Sequence, residues 1–408
     1  MNTLQNPFRV EGVVEPPFFT DRAEEVRRVR DALLEVPRRL LVYGERRMGK
    51  TSVLHAARRA AERRGGRVVF ADLSTASSPA DMANRVLDSA TRALGRHWRD
   101  FISGLAGRLR FRLQLVPDPI TGLAIPTVEG WLRSRAESEQ YDSFVSVLDA
   151  LEAMAAERDS TLALILDEFQ EIHRFGGESA EWRLRGAMQH HQRLSYVLAG
   201  SDTSLIRAMT GPSRAFYDML DMMRLGPIDP AHLSRWIDER MAGAGIQAPG
   251  LGARAIEVVG PRTRDVVRLA RAAFDLLREQ AGLAAAGAPV AREPTEVVRR
   301  ALEAVVAEED DRMRATWSNL TPLQQNVLRA VAWGGSGLAA RDTLERFGLT
   351  HGATARNTAT ALATRGLLVR REGSVTGFDF ESPFARAWVV RHTLPDVGLL
   401  LPIDHARA

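Results

Sequence analysis

The stretch Gly44-Glu45-Arg46-Arg47-Met48-Gly49-Lys50-Thr51 decides how this chain is read. Two glycines, a lysine and a hydroxyl stand at the spacing of a phosphate-binding loop, G-x-x-x-x-G-K-[ST]. The flanks supply the context that the motif needs. Leu40-Leu41-Val42-Tyr43 is a short apolar run and predicts a buried strand. From Thr51 to Arg64, the residues Val53, Leu54, Ala57 and Ala61 fall on one side of a predicted helix. Between strand and helix the glycines let the backbone curl, so that its N–H groups point at phosphate oxygens. The helix N-terminus adds partial positive charge. Lys50 is a compact cation able to reach the β- and γ-phosphates of ATP, and Thr51 offers its hydroxyl to Mg²⁺. Ser52, next in the chain, is counted with the nucleotide-binding residues. The chain has 55 lysines and arginines together, and Lys50 is the one lysine among them. It stands where arginine is a poor substitute.

A phosphate loop needs an acidic partner at the tip of a neighbouring strand. Thr161 to Leu166 (TLALIL) predicts that strand, and Asp167-Glu168 follows it. Asp167 is placed to hold Mg²⁺ through water, and Glu168 to polarise the water that attacks the γ-phosphate. Leu194 to Ala199 (LSYVLA) is a third parallel strand candidate, ending at Gly200-Ser201-Asp202. Ser201 is the polar residue expected at the γ-phosphate or attacking water. Arg67 to Leu73 (RVVFADL) is a fourth strand, with Asp72 at its end. Strands alternating with helices predict a doubly wound α/β domain that binds its ligand at the carboxyl ends of the strands.

The remaining composition excludes more than it assigns. The chain has 408 residues, 45% of them hydrophobic, which is ordinary for a globular protein of several domains. It has no cysteine, so thiolate chemistry, disulfides and cysteine-held zinc are excluded. A net charge of +4 is weak evidence for a polyanionic partner. Met1 to Val10 lack the pattern of a signal peptide, and there is no apolar run of 18 residues to cross a membrane. A cytoplasmic location is the default expectation.

The motifs together resemble the archaeal-type ATPase family of the STAND and AAA+ P-loop NTPases. They are also similar to origin-recognition ATPases that carry a winged helix. Asn6-Pro7-Phe8 with Phe18-Phe19-Thr20-Asp21-Arg22-Ala23-Glu24-Glu25 resembles the opening segment of the family, which implies that Phe19 and Arg22 lie near the adenine. Leu164-Ile165-Leu166-Asp167-Glu168-Phe169-Gln170 looks like its Walker B strand, and Leu198-Ala199-Gly200-Ser201 like its sensor strand. Ser213-Arg214-Ala215-Phe216-Tyr217 and Leu225-Gly226-Pro227-Ile228 resemble the turn into the lid. Gly260-Pro261-Arg262-Thr263-Arg264-Asp265 resembles the start of a sensor-two helix. The likeness covers roughly 1–290. Arg22, Arg214, Arg262 and Arg264 are the candidates for phosphate contact, in cis or across a subunit interface, and Arg214 and Arg264 are the two preferred.

The expected architecture is thus an α/β P-loop NTPase core of the AAA+ kind with a helical lid and a C-terminal winged-helix domain. The core spans 1–230, with a hairpin insertion near 96–140, where Arg108 to Leu115 alternates basic and apolar residues before Pro117-Asp118-Pro119. Asp21 and Glu24 have the spacing of a capping box for a helix over 21–35. The lid spans 231–300 and a linker 301–320. Over 321–392, three short helices and two strands around Gly373 suggest the winged helix, and 393–408 is a tail. Thr354, Arg356, Asn357 and Thr360 would line its third helix, and Arg370 and Arg371 would begin the wing. The leading functional expectation is an ATPase switch coupled to double-stranded DNA, or to a homo-oligomer or other protein partner, through that domain. Two alternatives stay open: a DNA-binding regulator gated by nucleotide without hydrolysis, and an adaptor whose winged helix binds protein.

Overall fold

A computed structural model describes residues 5–10, 12, 20–95, 98, 100, 101, 113–117, 124–128, 137–284, 293–371 and 373–398. The chain divides into two units, Asp21–Gly226 and a second formed by Met1–Thr20 with Pro227–Ala408.

In the first unit the apolar runs form the strands that their composition predicts. These are β1 (Arg39–Tyr43), β2 (Val68–Asp72), β5 (Leu162–Asp167) and β6 (Leu194–Gly200). A short strand that the sequence reading did not foresee, β7 (Asp221–Arg224), completes a five-stranded sheet of order β2-β5-β6-β1-β7. Every pairing in it is parallel. All residues of β5 and β6 are buried, as are the three central residues of β1, so these strands are near-continuous apolar runs rather than alternating, with Ser195 and the terminal Asp167 as buried polar exceptions. β7 is an edge strand that buries only Met223, and its Asp-Met-Met-Arg sequence carries no strand pattern. The order puts β6 between the strand that leads into the Gly44–Thr51 loop and the strand that ends in Asp167. Three chain segments with chemistry therefore leave the sheet at one edge, side by side.

The helix Ala23–Leu34 begins without the expected capping box. Arg22 is its N-cap, no side chain caps it, and Asp21 has φ 47°. Glu24 instead pairs with Arg27 at 2.5 Å. The insertion contains the predicted hairpin, but later than the basic run: β3 (Leu113–Pro117) and β4 (Ala124–Val128) pair antiparallel, with Leu113 opposite Val128. Residues 102–112 lie outside the described residues.

A buried ionic cluster forms on the helix that follows the Asp167 strand. The helix Glu171–His190 is kinked at Gly177 and carries Glu181, which is fully buried. Glu181 accepts two hydrogen bonds from Arg214, at 2.9 and 3.0 Å, and lies 2.6 Å from His173 Nδ1 across the kink. Removing one member of such a buried pair leaves the other desolvated and unmatched. Glu181→Ala is expected to lower unfolding stability by about 3 kcal/mol. A urea titration of the purified variant measures this, and an unchanged midpoint refutes it.

The second unit is helical. Pro230–Gly243, Leu251–Val259 and Thr263–Ala284 are the expected lid helices. Residues 301–320, expected as a linker, lie in the helices Pro294–Glu308 and Asp310–Ser318. Next come Pro322–Trp333, which opens with a capping box of Thr321 and Gln324, then Arg341–Phe347 and Gly352–Thr364. β8 (Leu368–Arg370) and β9 (Phe378–Phe380) form an antiparallel hairpin, and Pro383–Thr393 is the last described helix. One continuous apolar core runs from Leu233 and Leu269 through Val298 and Val327 to Trp388. Polar contacts fasten the same elements. Arg262 donates to the Glu381 carbonyl, Arg268 pairs with Glu309 and lies 4.9 Å from the Phe384 ring centre, and Trp388 Nε1 donates to Asp310 at 2.8 Å. Lid helices and C-terminal elements thus share one interior.

Candidate active site

The loop after β1 is held from both sides before its chemistry begins. Gly44 N–H donates to the Gly200 carbonyl at 3.4 Å and Leu225 N–H to the Tyr43 carbonyl at 2.7 Å, which fixes where β1 ends. Gly49 has φ 89°, a conformation open to glycine and costly for other residues, and it delivers the chain into the helix Lys50–Glu62. Met48 is buried, and Glu45 and Arg46 are exposed.

Lys50 is only 6% exposed. Its Nζ donates to the carbonyls of Gly44 and Glu45, at 2.8 and 2.7 Å. Burial pushes its pKa down, while the carboxylates of Glu168 and Asp167 oppose that shift. Thr51 Oγ1 donates to Asp167 Oδ2 at 2.8 Å, so the two residues expected to meet a cation already touch. Burial pushes Asp167 up to about 6, against the hydrogen bond from Thr51. A desolvated carboxylate beside a hydroxyl is a hard oxygen pair that suits Mg²⁺, which takes one or two protein oxygens and completes its shell with water and phosphate. Among the described residues no group of three or more acidic or histidine side chains forms a complete metal cage. Thr51 and Asp167 would hold the Mg²⁺ of MgATP, which would supply neutralisation of phosphate charge at this site.

Glu168 has φ 55°, a left-handed conformation that costs a non-glycine residue about 1–2 kcal/mol. Its N–H donates to Asp167 Oδ1 at 3.0 Å, and the next N–H, of Phe169, donates to the Ala199 carbonyl at 2.7 Å. This turn aims the Glu168 carboxylate across β6, where Ser201 Oγ donates to its Oε2 at 2.7 Å. Gln170 donates to the same oxygen. Lys50, Thr51, Asp167, Glu168 and Ser201 therefore form one constellation. Asp72 lies in register with Asp167 at the neighbouring strand end.

The other expected site residues are distributed differently. Arg22 is buried behind the loop. It donates to the Gly226 carbonyl at 2.6 Å and to the Met48 carbonyl at 3.4 Å, and pairs with Glu25 at 2.7 Å. It braces the loop's backbone from that position. Arg214 is paired within its own unit by Glu181 and Glu178. Arg262 is engaged by Glu381, and Arg264 is exposed in the first turn of Thr263–Ala284, in the other unit. Phe19 lies outside the described residues. For Gln170, as for Glu171 and His173, the sequence allows either a contact to substrate or partner or a place in a solvated loop. The burial of Gln170 behind Ser201 could not be inferred without knowing that β6 lies beside β5.

Residues 19–199 match the family model described as AAA ATPase domain. No curated protein matches the chain. Among solved structures it is similar to the Walker-type ATPase paby2304 of Pyrococcus abyssi. That likeness has a TM-score of 0.57 and 15% identity, and covers 94% of this chain and 99% of that one. It is also similar to the Aeropyrum pernix ORC1 protein solved in complex with DNA, with a TM-score of 0.51 and 18% identity, over 93% of this chain and 96% of that one. These likenesses extend the shared fold from the matched domain to nearly the whole chain. With the loop, the Asp167-Glu168 pair and Ser201 assembled as above, residues 19–199 are similar to an AAA ATPase domain, and the reaction that this arrangement suits is the hydrolysis of ATP.

Proposed function

We propose that the protein is an ATP-driven switch, dependent on Mg²⁺, whose C-terminal helices and hairpin act as a winged helix on double-stranded DNA. The supporting observation is the outer face of Gly352–Thr364. Thr354, Arg356 and Asn357 are exposed there, and the side chains of Arg356 and Asn357 have no hydrogen bond or ion pair among the described residues. Arg370, at the end of β8, donates to Thr360 Oγ1 at 3.1 Å, which joins hairpin and helix into one basic surface. Arginine and asparagine are the side chains that read guanine and adenine edges. Arg371 has a different part: it pairs with Asp379 at 2.9 Å and stiffens the hairpin. The likeness to an ORC1 protein solved with DNA agrees with this reading at the level of fold.

The test is ATP turnover and DNA affinity, with and without duplex DNA, at two salt concentrations. Turnover that rises with DNA at low salt supports the switch. Arg356→Ala is expected to weaken DNA binding and to flatten the dependence of log K on log salt by about one unit if it meets a phosphate, or to relax sequence preference if it meets a base. Turnover indifferent to DNA, with no salt-dependent binding, transfers the C-terminal surface to a protein partner.

A further inference from the structure

We infer that Gln170 is a positioning residue for ATP hydrolysis, one that fixes which oxygen of Glu168 faces the reacting water. The inference concerns the ATPase domain and does not depend on the partner of the C-terminal unit.

Gln170 sits in the turn after β5 and is only 6% exposed. Its Nε2 donates to Glu168 Oε2 and lies 3.5 Å from Ser201 Oγ. Ser201 donates to that same Oε2. Two donors thus converge on one oxygen of the carboxylate. No protein donor among the described residues reaches the other, Oε1. A carboxylate pinned in this way cannot rotate to exchange its oxygens, and its free oxygen is the one available as a base.

Gln170 is retained at a cost. Its own Oε1 is buried with no hydrogen-bond partner. An orphaned buried acceptor is destabilising, and such groups concentrate at functional sites. The neighbouring backbone also makes room for it. A Cβ at Gly200 would come within 2.7 Å of Gln170 Oε1 and 2.8 Å of Ile206 Cδ1. The glycine at the end of β6 thus leaves space for the amide beside Ser201. A turn residue needed for local shape alone would require neither the amide, nor its burial, nor the missing Cβ. The backbone ties of the turn come from its main chain: Phe169 N–H to the Ala199 carbonyl, Glu171 N–H to the Glu168 carbonyl, and His173 N–H to the Gln170 carbonyl.

The experiment uses the full chain with MgATP. Gln170→Met keeps the length and removes the amide. Gln170→Asn keeps an amide but shortens its reach, and serves if the methionine variant folds poorly. Each is expected to lower kcat at least about tenfold while the Kd for ATP stays within about twofold. The thermal midpoint of Gln170→Met should be unchanged or higher, because the orphaned acceptor is gone. In single-turnover measurements on Glu168→Gln, adding Gln170→Met should cause no further loss, because both changes act on one group. Wild-type kcat in the single variants overturns the inference. So does an equal further loss in the Glu168→Gln background, which would mean that Gln170 serves the fold. Wild-type turnover in the same assay reports separately on the ATPase reading.

Discussion

Lys50→Arg is expected to bind ATP about a hundredfold more weakly than the wild type, although it preserves the charge. The chain tolerates arginine at 54 positions, so the substitution matches its own composition. The loop does not accommodate it. Nζ sits within 2.8 Å of two loop carbonyls on a side chain that is almost wholly buried. A guanidinium is longer and planar, and holds five donors in a fixed fork. In the same path it would meet the carbonyls of Gly44 and Glu45 and force the loop open, or turn outward and leave the phosphate site. In either case the point charge at the β- and γ-phosphates is lost. Arg46 is exposed on the loop and does not occupy the buried position. Titration with a fluorescent ATP analogue, alongside circular dichroism to establish the fold, measures the effect. Affinity within about threefold of wild type would remove Lys50 from the phosphate site.

Glu168→Gln should separate binding from turnover: kcat falls by about 10²–10⁴-fold while the Kd for ATP stays within about threefold. The geometry explains why the variant remains assembled. Ser201 and Gln170 donate to one oxygen of Glu168, and the carbonyl of a glutamine can accept both bonds. The amide nitrogen would then face the reacting water, where it cannot take a proton. Thr51 and Asp167 keep their contact, because neither depends on that carboxyl. A stopped phosphate-release assay on both proteins gives the answer. Turnover within about threefold of wild type would assign proton acceptance to another group.

The legibility of this protein in its sequence follows the physics of each part. The loop, Asp167, Glu168 and Ser201 were readable because each lies directly at the end of an apolar run, where spacing alone places it. β7 was not, since an edge strand that buries one residue has no hydrophobic signature. The capping box over Asp21 and Glu24 failed because Arg22 is drawn to the Gly226 carbonyl and Glu25, and the turn is set by that tertiary contact. Arg214 looked available for phosphate because the sequence cannot show Glu181 beneath it; the two are 33 residues apart and meet through a kinked helix. The part played by Gln170, substrate or partner contact or solvated loop, stayed open in the sequence for the same reason. Its meaning depends on strand order, and strand order is not local information.

The single interior of the second unit sets how such chains can be recombined. A DNA-reading head is easily exchanged between proteins when it folds alone at the end of a tether. Here a cut near residue 320 would divide the core between Val298 and Val327 and strip Asp310 from Trp388 and Arg268 from Phe384. Both fragments would expose apolar surface that neither can cover. The compact piece is Pro227–Ala408 together with Met1–Thr20, whose Phe8 belongs to the same core. An exchange of the C-terminal helices and hairpin must therefore carry the helices of 230–284 with it, so that the whole interior is inherited as one block.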